Sequence, residues 1–271
     1  GFDILGTADN AFPSLTGYSG NILINVVIML LIITGGIGFL TWDDIYRNKM
    51  NFKRYRMQSK IILMTTVCLI VFPAFFFFAC DLKNLPAGER LLAAMFQSVT
   101  TRTAGFNTID ISEMSEASKA VMILLMLIGG SPGSTAGGMK TTTFTVLLLN
   151  AIATFRSQEN AGAFGRRLEY HVIKNAATIA MLYFTLFFCG GVAISVYEGL
   201  PLLDCLYEAA SAVGTVGLTL GVTPGLHVFS QVVLIILMYL GRVGGLTLIY
   251  AVLSGRNKGN AKLPLEKITV G

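Results

Sequence analysis

Charge is what this sequence has least of: Asp, Glu, Lys and Arg together make up 13% of 271 residues, about half their share in a soluble domain. So little charge argues against an ordinary soluble enzyme. Histidine is almost missing as well. His171 and His227 are the only two, and they fall on opposite sides of the topology derived below, so they build neither a catalytic nor a metal-binding constellation. The four cysteines, Cys68, Cys80, Cys189 and Cys205, show no Cys-x-x-Cys spacing and lie in or beside apolar runs. That pattern argues against a disulfide scaffold or zinc site and is expected of small buried hydrophobes. The net charge of +5 does not point to nucleic acid, because the basic residues sit between apolar stretches rather than on a polar surface. No hydrolase triad is visible, and no enzymatic function is expected.

What the chain has in excess is apolar length and glycine: 54% of residues are hydrophobic and 29 are Gly. A helix needs about 20 apolar residues to cross the hydrocarbon, since every backbone polar group must be satisfied within it. Residues 22–42, 61–80, 172–197 and 228–253 meet that test. A fifth candidate, 117–155, is interrupted by Gly129-Gly-Ser-Pro-Gly-Ser-Thr-Ala-Gly-Gly-Met-Lys140. Two further stretches, 90–101 and 202–214, have helical spacing but about half the length of a crossing, which predicts re-entrant segments. Lys and Arg favour the cytoplasmic side. Fourteen of the twenty lie in 43–60, 151–175 and the tail, whereas ten of the fifteen acids, Glu208 among them, fall in the alternate connections. This predicts an outside N-terminus and a cytoplasmic tail. The chain opens on Gly1-Phe2-Asp3 without a Met or a secretory leader, and reads as part of a longer protein.

An offset of 112 lays Thr103-Ala-Gly-Phe106 over Thr215-Val-Gly-Leu218 and Gly129 over Gly241. The repeated unit is helix, short re-entrant helix, Thr-x-Gly turn, helix. A partial third copy runs from Gly1 into the span holding Gly35-Gly36-Ile37-Gly38. A re-entrant helix aims its partial negative charge at the membrane centre, and an extended glycine turn can line up carbonyls in place of water around a cation. Glycine suits such a turn because a side chain resists the required φ. A lone membrane glycine is more often a helix-packing contact, but the same context twice favours an ion pathway. Gly133-Ser-Thr-Ala-Gly-Gly-Met-Lys-Thr141 nearly spells a nucleotide-binding loop, yet Met139 parts the glycine from the lysine and apolar runs flank it, so that reading is rejected. A broken helix rich in small residues instead marks a transport path. Arg242, well inside an apolar span, costs at least about 2.5–3.5 kcal/mol unless water or a partner meets it, so a functional role is expected.

These residues make the chain similar to the Trk/Ktr/HKT superfamily of potassium transporters, and within it most like the bacterial Ktr membrane subunit. The resemblance rests on Thr103–Thr108, Gly129–Lys140, Ala212–Leu218 and Arg242, and covers essentially the whole chain. It implies an all-α membrane protein of helix, pore-loop, helix units in pseudo-fourfold arrangement around one pore. By that comparison residues 1–60 are the end of unit two with a cytoplasmic linker, 61–170 are unit three and 171–271 are unit four with the tail. The implied filter is Gly1, Thr103, Ala104, Gly105, Phe106, Thr215, Val216, Gly217 and Leu218, binding potassium, the transported ion, through its carbonyls. The implied gate is Gly129, Gly130, Ser131, Gly133, Ser134, Thr135, Gly137, Gly138, Lys140 and Arg242, with Arg102 a structural clamp. The resemblance further implies a homodimer in the bacterial cell membrane, docked on a cytoplasmic nucleotide-binding ring of KtrA/TrkA type, with no organic cofactor of its own and ATP or ADP acting only through that ring. Basic segments 43–60 and 255–271 are candidate docking surfaces, although ordinary positive-inside topology explains them equally well. The alternatives are a sodium-selective or weakly selective cation transporter of the same architecture, and a non-transporting sensor or structural protein.

Overall fold

A computed structural model describes residues 14–49 and 51–244; Gly1, Asp3, Asp9 and the tail from 245 onward lie outside the described residues. The chain is mostly helical. Its elements are α1 (Ile22–Ile37), α2 (Phe39–Asn48), α3 (Met57–Cys80), α4 (Ala87–Thr100), α5 (Glu116–Leu127), α6 (Thr141–Phe155), a two-residue-per-strand hairpin of β1 (Gly162–Ala163) and β2 (Arg166–Arg167), α7 (Tyr170–Glu198), α8 (Leu202–Val213) and α9 (Val228–Val243). Among the described residues α3 and α7 are each long and apolar enough to cross a membrane, and α1 with α2 passes the same test as a bent pair.

Local chemistry sets the ends of these helices. Asn21 and Ser115 accept the Ile24 and Ser118 amides (3.2 and 3.3 Å) at the starts of α1 and α5, satisfying donors that a helix leaves open. α7 ends on Gly199 in the left-handed region, where a Cβ is disfavoured. The expected crossing at 22–42 is corrected here. α1 stops at Ile37, and the chain bends by 95° into α2. The reason is Gly38, at φ 90° and ψ 143°, a region essentially closed to any other residue. Gly244 repeats the arrangement at the end of α9, with φ 87° and ψ 139°. Thus Gly35-x-x-Gly38 and Gly241-x-x-Gly244 each end a helix in the same way.

The half-length stretches do form short helices, α4 and α8. α4 packs against α3 and α1, while α8 packs against α7, α9 and α5. Each short helix therefore sits against the long helix that precedes it and against one helix from earlier in the chain, α1 for α4 and α5 for α8. Small residues permit this closeness. Ala209, Ala210 and Ala212 on α8 are fully buried, and a Cβ on Gly214 would stand 2.3 Å from the Met126 carbonyl oxygen. With Met122, Met126, Tyr207 and Val213 they form the main core.

Two further expectations from sequence need correction. Of the four cysteines only Cys205 is buried, whereas Cys80 and Cys189 are exposed. A helix that faces lipid is apolar all round, so hydrophobicity alone cannot distinguish its inward face. Glu208 is not in a connection either; it lies in the body of α8 and is 1% exposed.

Candidate functional site

Both Thr-x-Gly turns leave the C-terminal end of a short helix with the same backbone. Thr103 and Gly105 have φ of 65° and 82°, and Thr215 and Gly217 have φ of 51° and 95°. Positive φ at every second residue takes both turns off the extended backbone of a strand in the same way. A β-branched residue at positive φ is a genuine outlier and costs on the order of 1–3 kcal/mol. Here it occurs twice, at equivalent positions.

Each turn is tied to its helix. The Ala104 amide donates to the Thr100 carbonyl (3.2 Å), and the Val216 amide donates to the Ser211 carbonyl (2.8 Å). The Thr100 hydroxyl donates to the Phe106 carbonyl, and the Gly217 amide donates to the Ser211 hydroxyl (3.1 Å). Arg102, the residue before the first turn, is 6% exposed, and its Nη2 lies 3.4 Å from the Thr66 hydroxyl on α3. It thus ties α4 to α3. Phe106 is half exposed, whereas Val216, Gly217 and Leu218 are buried.

Two cavities lie at opposite ends of the first turn. The outer one, about 820 Å³, is lined by Asn107, Thr219 and Leu220 and by the carboxylates of Asp81, Glu89, Asp110 and Glu113. The inner one, about 290 Å³, lies between Thr103, Ala104 and Phe106 on one side and Thr135, Ala136 and Gly35 on the other.

The floor of the inner cavity is the interruption between α5 and α6. It folds on itself: the Gly129 amide donates to the Met139 carbonyl (2.8 Å), the Thr141 amide to the Gly130 carbonyl (3.0 Å), and Lys140 Nζ to the Ala136 carbonyl (2.6 Å). It is also stitched to the two other helix breaks. The Ser131 amide donates to the Gly36 carbonyl (3.0 Å), the Phe39 amide to the Gly133 carbonyl (3.1 Å), and the Gly138 amide to the Gly241 carbonyl (3.3 Å). Arg242 Nη1 donates to the Thr135 carbonyl (2.6 Å), while the Thr135 hydroxyl reaches the Gly35 carbonyl (3.4 Å). The Ser134 hydroxyl accepts the Ala136 amide (3.3 Å).

Glycine is needed here for closeness. A Cβ on Gly137 would stand 2.0 Å from Thr215 Oγ1, and one on Gly129 would stand 2.1 Å from the Gly137 carbonyl oxygen. The loop therefore presses directly on the second turn. The structure puts Thr103, Ala104 and Phe106 on one cavity with Thr135 and Ala136, Gly137 against Thr215 and Arg242 on the Thr135 carbonyl. Gly1 lies outside the described residues.

Two residues beside this site were not anticipated from sequence: Gly38, where a Cβ would stand 2.6 Å from the Pro132 carbonyl oxygen, and Glu208, which accepts from Thr219 and Leu220 just past Leu218. An acid inside a half-length apolar helix is the signal for Glu208, and counting it among the external acids hid it. For Gly38 the signal is its match to Gly244, each three residues after the first glycine of a shared Gly-x-x-Gly pattern.

Comparison with known proteins bears on the family and the fold. The TrkH family, described as cation transport protein, matches residues 1–258. The chain is 37% identical over 282 residues to the potassium/sodium uptake protein NtpJ of Enterococcus hirae, covering all of this chain and 61% of that protein. It is 35% identical over 264 residues to the Ktr system potassium uptake protein B of Bacillus subtilis, covering 95% of this chain and 59% of that one. The chain thus spans about three fifths of the length of these relatives. The crystal structure of the potassium transporter TrkH from Vibrio parahaemolyticus superimposes with a TM-score of 0.75 at 20% identity, over 90% of this chain and 55% of that one. At that identity the likeness speaks for the fold.

Proposed function

The chain belongs to the TrkH family of cation transport proteins, and we propose that it forms part of a potassium uptake pathway in the cell membrane. In this reading Thr103–Phe106 and Thr215–Leu218 are two walls of a selectivity filter, and Gly1 marks a third. Potassium sheds water in the outer, acid-lined cavity and takes up backbone carbonyls in its place. It then enters the inner cavity, whose exit is the loop 129–138. Arg242 and Lys140 occupy the Thr135 and Ala136 carbonyls, so the closed loop offers a cation two positive charges and few free acceptors. Residues 61–170 and 171–271 act as two successive pore units, with 1–60 closing the one before. The observation that carries this reading is the pair of threonines held at positive φ, each two residues before a positive-φ glycine. Strain of this kind persists where function requires it.

As in the resemblance drawn from sequence, the complete assembly is a homodimer regulated by a nucleotide-binding ring on the basic side. A second reading, in which sodium also passes, is favoured by the name of the Enterococcus hirae relative, a potassium/sodium uptake protein. One experiment tests the filter on which both readings rest. The complete gene product is expressed in potassium-uptake-deficient bacteria, with membrane insertion checked, and K⁺ and Na⁺ uptake are measured for wild type and Gly105→Ser. Potassium-dependent growth that Gly105→Ser shifts toward sodium supports the filter; unchanged K⁺/Na⁺ uptake in the variant removes it.

A further inference from the structure

Glu208 is a carboxylate inside a membrane protein, 1% exposed, for which the transport pathway described above gives no role. Burying a carboxylate is costly unless hydrogen bonds replace its water. Three do so, and all come from one segment. The Thr219 hydroxyl and the Leu220 amide donate to Oε1 (2.7 and 2.9 Å), and the Thr223 hydroxyl donates to Oε2 (2.6 Å). That segment begins one residue after Leu218, and its residues Thr219, Leu220, Gly221 and Pro224 line the outer cavity.

Glu208 does not act alone along the helix. Ser211 is three positions on and shares its face of α8, and its hydroxyl accepts the Gly217 amide (3.1 Å). The second turn is therefore pinned at its glycine by Ser211 and at its exit by Glu208. At the offset of 112 the equivalents in the first unit are Phe96 for Glu208, Val99 for Ser211 and Ile111 for Thr223. All three are apolar and buried. The two units thus hold matching turns by different means, and the charged one is confined to residues 202–225.

We propose that Glu208 is a positioning residue for ion discrimination: by gripping Thr219, Leu220 and Thr223 it fixes where the Thr215–Leu218 carbonyls stand. This inference rests on the reading of Thr215–Leu218 as a filter wall. A wall released at its exit can close around a smaller ion, so loosening it erodes discrimination before it abolishes flux. The role is one of position and not of charge. Gln at 208 keeps the oxygen that serves Thr219 and Leu220, and its amide can donate to Thr223, whereas Ala leaves the Leu220 amide without its acceptor and the Thr219 and Thr223 hydroxyls, 3.1 Å apart, with only each other.

The test uses the complete gene product in proteoliposomes, with Rb⁺ uptake competed by K⁺ or by Na⁺. Glu208→Ala is expected to cut the K⁺/Na⁺ discrimination about tenfold, as loss of hydrogen bonds to a charged acceptor implies, and Glu208→Gln to stay within about threefold of wild type. Gly217→Ser is measured beside them. If Gly217→Ser alters discrimination and Glu208→Ala does not, the filter reading stands and the clamp is refuted. If neither alters it, both fall. Glu208→Gln as damaging as Glu208→Ala overturns a positional role in favour of charge. Should Glu208→Ala fail to insert, Thr223→Val, which leaves the carboxylate its other two donors, takes its place: an intermediate loss of discrimination supports the proposal and an unchanged ratio overturns it.

Discussion

Replacing Gly137 by alanine tests whether the intramembrane loop seals the pathway by resting on the second turn. The new Cβ would lie 2.0 Å from Thr215 Oγ1, 2.8 Å from its Cγ2 and 2.9 Å from its Cβ. Gly137 is not among the positive-φ glycines, so alanine is tolerated by the backbone and all the strain falls on this contact. Thr215 cannot yield easily, being β-branched and already held at φ 51°. Overpacking of this sort costs about 1–3 kcal/mol. The cost applies while the loop is seated and vanishes once it leaves, so the seated population falls by about 5- to 150-fold relative to the open one. The assay is Rb⁺ flux into proteoliposomes holding the complete gene product without any regulatory subunit. Gly88→Ala is the control, since nothing lies within 4 Å of its added Cβ. Flux is expected to rise several-fold or more in Gly137→Ala and to stay level in Gly88→Ala. Equal flux in both variants refutes the contact as a seal.

Two other substitutions probe the stitches around the loop. Arg242→Gln removes the bond from Nη1 to the Thr135 carbonyl together with a positive charge, and is expected to raise partner-free flux several-fold, with Arg242→Lys in between; flux indifferent to both counts against an anchoring role. Gly38→Ala forces a Cβ to 2.6 Å from the Pro132 carbonyl oxygen at φ 90° and is expected to destabilise by at least about 1–3 kcal/mol, read as a Tm lower by several degrees in detergent, with an unaltered Tm refuting the strain argument.

The parts of the site legible in sequence were those whose backbone demand selects a residue type. Thr103-x-Gly105 and Thr215-x-Gly217 repeat because each turn needs a glycine at positive φ, and the loop 129–138 announced itself because close backbone approach leaves no room for side chains. The bend after α1 did not, because Phe39-Leu-Thr-Trp42 continues the apolar run and hydropathy is blind to direction. Glu208 was placed outside because charge counting treats acids as solvent-facing, whereas its three donors come from a segment 11 to 15 residues further on. The exposed Cys80 and Cys189 show the same limit from the other side. Composition tells an apolar helix from a polar one but not which face meets protein.

The 95° bend at Gly38 has a mechanical side. α2 has ten residues, so it is an arm of about 15 Å rooted at Gly38, and the Phe39 amide that holds the Gly133 carbonyl sits at that root. Swinging that arm by about 10° carries its far end roughly 2.6 Å but the root only a few tenths of an ångström. The ratio of arms works in reverse for force. A push at Asn48 is first borne by the Arg56 amide's bond to Asp44 (2.8 Å) and by the buried Thr41, and what passes them is concentrated on the Phe39–Gly133 hydrogen bond.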